Sequence, residues 1–156
     1  MYKRQPIIDG ISDQVIDEDG SLELTLSAFD IDQDDLVFST LSDNDAVAVS
    51  VDGTSLVATP NADYYGSATI IVDVTDGEYV SIDFFVLTIN PVNDAPIIDE
   101  ISDQVIDEDG SLELTLSAFD VDQDDLVFSS LSDNDAVAVS VQGTSLVATP
   151  NTDYYG

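Results

Sequence analysis

The chain has 156 residues, of which 33 are Asp or Glu, two are Lys or Arg and none is His or Cys, for a net charge near −31. Both cations, Lys3 and Arg4, precede Gln5, so nothing beyond them can grip a phosphate backbone, and nucleic-acid binding by counterion release is excluded. An anionic membrane surface repels such a chain, no stretch approaches the roughly 18 consecutive apolar residues of a membrane span, and thiolate chemistry and disulfides are excluded with cysteine.

High charge often marks disorder, but disordered chains are poor in β-branched and aromatic residues, whereas 44% of this chain is hydrophobic. A folded protein with solvated or cation-bound carboxylates is expected. The opening Met1-Tyr2-Lys3-Arg4-Gln5 differs in character from the acidic repeats after it. Read back into codons as GTG-TAT-AAG-AGA-CAG, it coincides with a sequencing-library transposon end. Residues 1–5 are therefore expected to be a non-native leader, with the natural protein continuing upstream and signal-peptide arguments suspended.

From residue 6 the hydrophobic period is two, the mark of strands with one buried face. Strands are expected over about 6–16 (broken), 21–28, 35–41, 46–51, 55–59, 67–75 and 79–90. Leu22, Leu24, Leu26 and Ala28 alternate with Ser21, Glu23, Thr25 and Ser27; Val47, Val49 and Val51, then Ile70, Val72 and Val74, obey the same rule. Val80, Ile82, Phe84, Val86 and Thr88 form one face of the last long strand. Asp52-Gly53 and Asp76-Gly77 supply the residues tight hairpins prefer. Seven short strands in so few residues, with no helical period, predict an all-β, seven-stranded immunoglobulin-like sandwich.

Pro6-Ile7-Ile8-Asp9 returns as Pro96-Ile97-Ile98-Asp99, and 6–66 differs from 96–156 only at Gly10/Glu100, Ile31/Val121, Thr40/Ser130, Asp52/Gln142 and Ala62/Thr152. Such self-similarity marks a tandem array. The expected organisation is a complete repeat over 6–91, a linker over 92–96 and a truncated repeat over 97–156 that lacks its last two strands. That second copy should leave apolar side chains and ladder edges exposed, and near-identical repeats invite strand exchange.

The acids gather in loops. Strand order sends Asp30-Ile31-Asp32-Gln33-Asp34-Asp35 and Asp76-Gly77 to one pole of the sandwich. It sends Asp17-Glu18-Asp19-Gly20, Asp43-Asn44-Asp45, Asn61-Ala62-Asp63 and the exit 90–96 to the other. Stacking a second repeat on the first then brings lower-pole carboxylates towards Asp120, Asp122, Asp124 and Asp125. Carboxylates so gathered repel one another, and a hard cation relieves the repulsion. Ca²⁺ accepts six to eight oxygens in flexible geometry, whereas zinc and copper favour the absent His and Cys. An EF-hand starting at Asp30 fails, because Asp35 stands where Gly is needed and Leu41 where the bidentate Glu belongs. Asp43 and Asp45 are read as turn formers, and Asp9, Asp13 and Asp73 as ordinary outward residues.

Asn93-Asp94-Ala95-Pro96 at a domain exit, Asp30-x-Asp32 after the second strand, Glu18 in the first lower loop and Asp76-Gly77 before the last strand resemble the cadherin calcium pattern. Tyr64-Tyr65-Gly66 and Val92-Asn93-Asp94-Ala95-Pro96 are similar to bacterial cadherin-like repeats of large surface adhesins and biofilm proteins. The resemblance implies a calcium site using Glu18, Asn93, Asp94, the Ala95 carbonyl, Asp120 and Asp122. It also implies that Asp30, Asp32 and Asp76 serve a junction with a preceding repeat. The family's Asp-Arg-Glu motif is missing, with Asn61 or Asp63 in its loop.

The expected function is that of a calcium-rigidified spacer or adhesion repeat of a large secreted or bacterial cell-surface protein. Its expected partners are neighbouring repeats, with homophilic contacts or polysaccharide as further candidates. The alternative is a carbohydrate-binding accessory repeat of a polysaccharide-active protein, with Tyr64-Tyr65 as a stacking platform. Catalysis is not expected: triads and Schiff bases lack their residues, and paired carboxylates need a cleft to raise one pKa.

Overall fold

The computed structural model describes residues 4–155, so of positions 1–5 only Arg4 and Gln5 are described, and the expectation of a leader over 1–5 falls partly on Met1–Lys3, which lie outside the described residues. The chain divides into two compact units, Met1–Val92 and Asn93–Gly156.

Unit one holds β1 (Ile7–Ile8), β2 (Gln14–Asp17), β3 (Leu22–Thr25), β4 (Ala28–Phe29), β5 (Val37–Ser42), β6 (Val47–Asp52), β7 (Ser55–Pro60), β8 (Gly66–Thr75) and β9 (Val80–Asn90). The first two expected strands each break in two because each changes partner. β1 pairs with β4, while β2 runs parallel to β9 and β3 antiparallel to β7. Two sheets result, β2-β9-β8-β5 and β3-β7-β6. The β6–β7 hairpin closes with a two-residue loop whose first residue, Gly53, sits at φ +59°, a conformation glycine adopts without steric cost.

The core lies between these sheets. Leu22, Leu26, Val47, Leu56 and Ala58 come from or flank the three-stranded sheet, and Ala68, Ile70, Val72, Phe85, Leu87 and Ile89 come from β8 and β9. The alternation read from sequence holds for β3, β6 and β8. In β9 the buried set is Phe85, Leu87 and Ile89, whereas Val80, Ile82, Phe84 and Val86 face solvent. Apolar residues stand on both faces of this strand, so alternation alone does not choose the inner one. The ladder does: Phe85 pairs with buried Ile70, and Phe84 with Ile71.

Unit two holds β10 (Ile97–Ile98), β11 (Leu112–Thr115), β12 (Ala118–Phe119), β13 (Val137–Gln142) and β14 (Ser145–Pro150). They form a β10-β12 ladder and a β11-β14-β13 sheet with the same register as their unit-one counterparts, Leu112 opposite Ala148 as Leu22 is opposite Ala58. Segments 104–107 and 127–132, equivalent to β2 and β5, form no strand. Among the described residues no helix is long and apolar enough to cross a membrane.

Candidate metal-binding loops

In unit one the β1–β4 ladder delivers the chain to Asp30, which is only 4% exposed. Asp30 Oδ1 accepts the backbone N–H of Asp32 at 2.7 Å and of Asp34 at 3.4 Å. The Gln33 N–H reaches the Asp30 carbonyl at 3.4 Å, with Gln33 left-handed at φ +61°. A short carboxylate that satisfies its own turn is what Asp does well. The other oxygen, Oδ2, is buried and has no hydrogen-bond partner, a costly state for an anionic group unless something positive covers it.

Asp32 stands beside it, half-buried, with Oδ2 accepting the Arg4 N–H at 2.7 Å. Asp76 Oδ1 accepts Glu78 N–H at 2.7 Å and Tyr79 N–H at 2.6 Å in the β8–β9 hairpin. Gln5 Nε2 donates to the Val80 carbonyl at 2.6 Å, and the Ser81 hydroxyl donates to the Pro6 carbonyl. The Asp30 loop and the Asp76 hairpin therefore both border segment 4–6. Arg4, the only described basic side chain, is exposed.

At the other end of unit one, the parallel β2–β9 pairing sets Asp17 opposite Asn90. Glu18 comes next, 6% exposed, with its N–H on the Asn90 carbonyl at 2.9 Å and Oε1 accepting the Val92 N–H at 2.5 Å. The turn closes from Gly20 N–H to the Asp17 carbonyl at 3.2 Å; a Cβ on Gly20 would lie 2.9 Å from that oxygen, so the turn demands glycine. Asp19 Oδ1 accepts Asp63 N–H at 3.2 Å, and Asp17 Oδ1 accepts Asn90 Nδ2 at 3.3 Å.

Unit two repeats the first loop. Asp120 is 6% exposed, its Oδ1 accepts Asp124 N–H at 3.2 Å, and Gln123 is again left-handed at φ +63°. The β10–β12 ladder brings the preceding segment alongside, so Asp94 N–H donates to Asp122 Oδ2 at 2.6 Å. This matches the Arg4–Asp32 bond, with an acid where unit one has its arginine. Exposed Asn93 donates from Nδ2 to the Asp94 carbonyl at 2.9 Å. Residues 93–156 contain no basic side chain, so Asp120 is a buried acid with no cation in its own unit.

Two acids read as ordinary outward residues, Asp9 and Asp13, accept hydrogen bonds from distant segments, as do Asp83, not singled out in the sequence, and Asp43, read as a turn former. Asp13 Oδ1 accepts Val86 N–H at 2.8 Å, Asp83 Oδ2 accepts Ile11 N–H at 2.9 Å, and Asp9 accepts the Ser27 hydroxyl at 2.5 Å. Asp43 Oδ1 accepts Thr69 N–H at 2.7 Å, and bonding to Thr69, first its backbone and then its side chain, holds this carboxyl below its ordinary 3.8. Asp13 and Asp43 each sit just beyond a strand end, before Gln14–Asp17 and after Val37–Ser42 respectively. Of the two tyrosines, Tyr65 is exposed, but Tyr64 packs on the core with its hydroxyl accepting Asn44 Nδ2 at 2.6 Å.

Two facing sheets in unit one, the same three-stranded sheet and short ladder again in unit two, and no helix among the described residues define this chain as an all-β array of immunoglobulin-like, cadherin-like repeats. It belongs to the Bacterial Ig domain family, whose model matches residues 3–86 and again 93–156. Among solved structures, it is similar to Drosophila N-cadherin EC1-4 at 17% identity and TM-score 0.53, covering 97% of this chain and 42% of that one. It is also similar to human protocadherin-24 EC1-2 at 14% identity and TM-score 0.46, covering 97% and 80%. A third likeness is to the endo-fucoidan hydrolase MfFcnA4 from glycoside hydrolase family 107, at 16% identity and TM-score 0.49, covering 95% of this chain. The chain spans about a quarter of that hydrolase's length, 24%. Of the three, only the N-cadherin likeness bears on the fold, and it bears on the fold alone. No curated protein matches the chain.

Proposed function

We propose that this chain is a calcium-binding, calcium-rigidified spacer or adhesion segment of a large secreted or bacterial cell-surface protein. The observation that carries the reading is Asp30, a buried carboxylate whose Oδ2 has no donor. Asp120 supports it as a second buried acid in the same turn, within a unit that contains no cation. A donor set of carboxylates, an amide and backbone carbonyls suits a hard ion, and a flexible loop suits Ca²⁺ better than Mg²⁺.

Asp30 and Asp32, with Asp76 across segment 4–6, would hold one ion. Asp120, Asp122, Asp94, Asn93 and the Ala95 carbonyl would hold another, and Glu18, buried at the far end of unit one, is proposed as a further ligand. Without the ion, adjacent carboxylates repel and the linker bends freely; with it, the array stiffens into a rod. Extracellular modules bind calcium at about 10⁻⁴–10⁻³ M, which places the switch outside the cell. The partners in this reading are neighbouring repeats of the same chain. In the alternative reading, carbohydrate binding at Tyr64-Tyr65, the exposed Tyr65 ring would be the stacking surface, since Tyr64 packs on the core.

Calorimetric titration with Ca²⁺ in moderate salt tests the proposal. A saturable isotherm should appear, much weaker with Mg²⁺, and Asp30→Asn and Asp120→Asn should each remove one class of site. Absence of heat, or heat that NaCl abolishes as generic screening would, overturns it.

A further inference from the structure

We propose that the outer face of the four-stranded sheet of unit one docks a separate protein through a cationic amphipathic segment, with apolar side chains on the sheet and a Lys or Arg against Asp73. The two outer faces of this sandwich differ in kind. On the β3-β7-β6 sheet the outward positions are mostly polar or small, as at Glu23, Thr25, Ser50 and Ser55, and the large apolar one, Val57, is half-buried. That is the ordinary solvated side of an antiparallel sheet.

On β5, β8 and β9 the outward side is largely apolar, and the ladders align it in rows. Leu41, Ile71 and Phe84 cross the three strands in one row, and Ser39, Asp73 and Ile82 in the next. Val86 extends the patch beyond the first row and Val37 beyond the second. Leu41, Ile82 and Phe84 are 63%, 64% and 64% exposed. A contiguous apolar patch rimmed by polar residues marks an interaction surface. β8 runs 10 residues, about 34 Å at the antiparallel rise, which leaves room for a segment of similar length.

Asp73 sets the chemistry of the occupant. In a chain with 33 acids it is the one acid among the outward residues of these three strands. It is half-buried, and its Oδ1 is buried without a hydrogen-bond partner. A carboxylate partly desolvated among aliphatic side chains is stabilised by a nearby cation. From Gln5 onward the chain has no Lys, Arg or His, so neither the sheet itself nor a second copy of it supplies one.

Charge decides between the two occupants an apolar face admits. A second copy laid on this face would bury two Asp73 carboxylates in one interface and bring together two chains of net charge near −31; like charges so placed are costly. A cationic amphipathic segment is favoured on both counts. The field of the chain steers it in, the apolar rows hold it, and Asp73 fixes its register through one charge pair. None of the residues in this face is among those proposed above for calcium, so the two readings stand or fall separately.

The test titrates the 156-residue chain, in EDTA and about 0.15 M NaCl, into a fluorescein-labelled peptide of alternating lysine and valine. Saturable binding by anisotropy is expected, with a lysine–serine peptide of equal charge at least about tenfold weaker. Phe84→Ser and Asp73→Asn should each weaken the lysine–valine peptide by about tenfold, and Ile82→Ser repeats the test in the neighbouring row should Phe84→Ser lower the melting temperature. Glu23→Gln removes one charge from the opposite face and should leave binding unchanged. No binding, equal binding of the two peptides, or equal effects of Asp73→Asn and Glu23→Gln overturns the proposal. So does dimerisation of the chain alone that Phe84→Ser abolishes, which would make a second copy the occupant.

Discussion

Many carboxylates in this chain hold backbone N–H groups, and Asp43 is one of them. Its Thr69 bonds hold the folded pKa below 3.8, so it stabilises the fold above that value, and the contribution disappears as pH falls through the folded pKa. Asp43→Asn keeps an acceptor for Thr69 N–H but loses the charge. The variant should melt below the parent at neutral pH, and the gap should narrow on acidification, as followed by circular dichroism. A gap that stays constant down to low pH would show that the charge plays no part. Sequence exposes little at this scale. Asp13, Asp43 and Asp83 have no neighbouring residue that marks them, because the N–H groups they hold, on Val86, Thr69 and Ile11, lie 73, 26 and 72 positions away. Asp30 was legible because turn geometry is local and its partners are two and four residues on.

Strands were easier to read, since a period of two needs no knowledge of partners. β3 alternates between apolar and polar, β6 between valine and small or polar residues, and β8 departs from the rule only at Ile71, so alternation identifies their inner faces. β9 carries Phe84 beside Phe85, and its inner face depends on pairing with β8, which only the folded ladder settles. The distinction is measurable. Phe85→Ala removes a fully buried ring and should cost about 3–5 kcal/mol in urea unfolding. Phe84→Thr, on a residue 64% exposed, should stay within about 0.5 kcal/mol. Equal costs would mean that both faces of β9 are covered in solution. The breaks between β1 and β2 and between β3 and β4 were half legible. Gly10 and the acids around it interrupt the first strand, but the change of sheet that breaks the second leaves no mark in Ser21–Ala28.

Across the whole chain the repeat of 90 residues was the plainest signal, because near-identity needs no physics to detect, and the charge of −31 is a matter of counting. What the charge is for is a question of ions. If calcium serves this acidity, it binds the folded loops and not the unfolded chain, so folding and binding are linked. With a dissociation constant of about 10⁻⁴–10⁻³ M, 10 mM Ca²⁺ adds about 1.4–2.7 kcal/mol for each site. The thermal midpoint should therefore rise steadily with calcium, and the radius of gyration from small-angle scattering should move with it as the linker stiffens. NaCl at matched ionic strength screens exposed charges but offers no ligand-specific term, so it should reproduce neither change. If NaCl matches calcium on both readouts, the acids are general surface charge, and Asp30 is stabilised by screening and not by a bound ion.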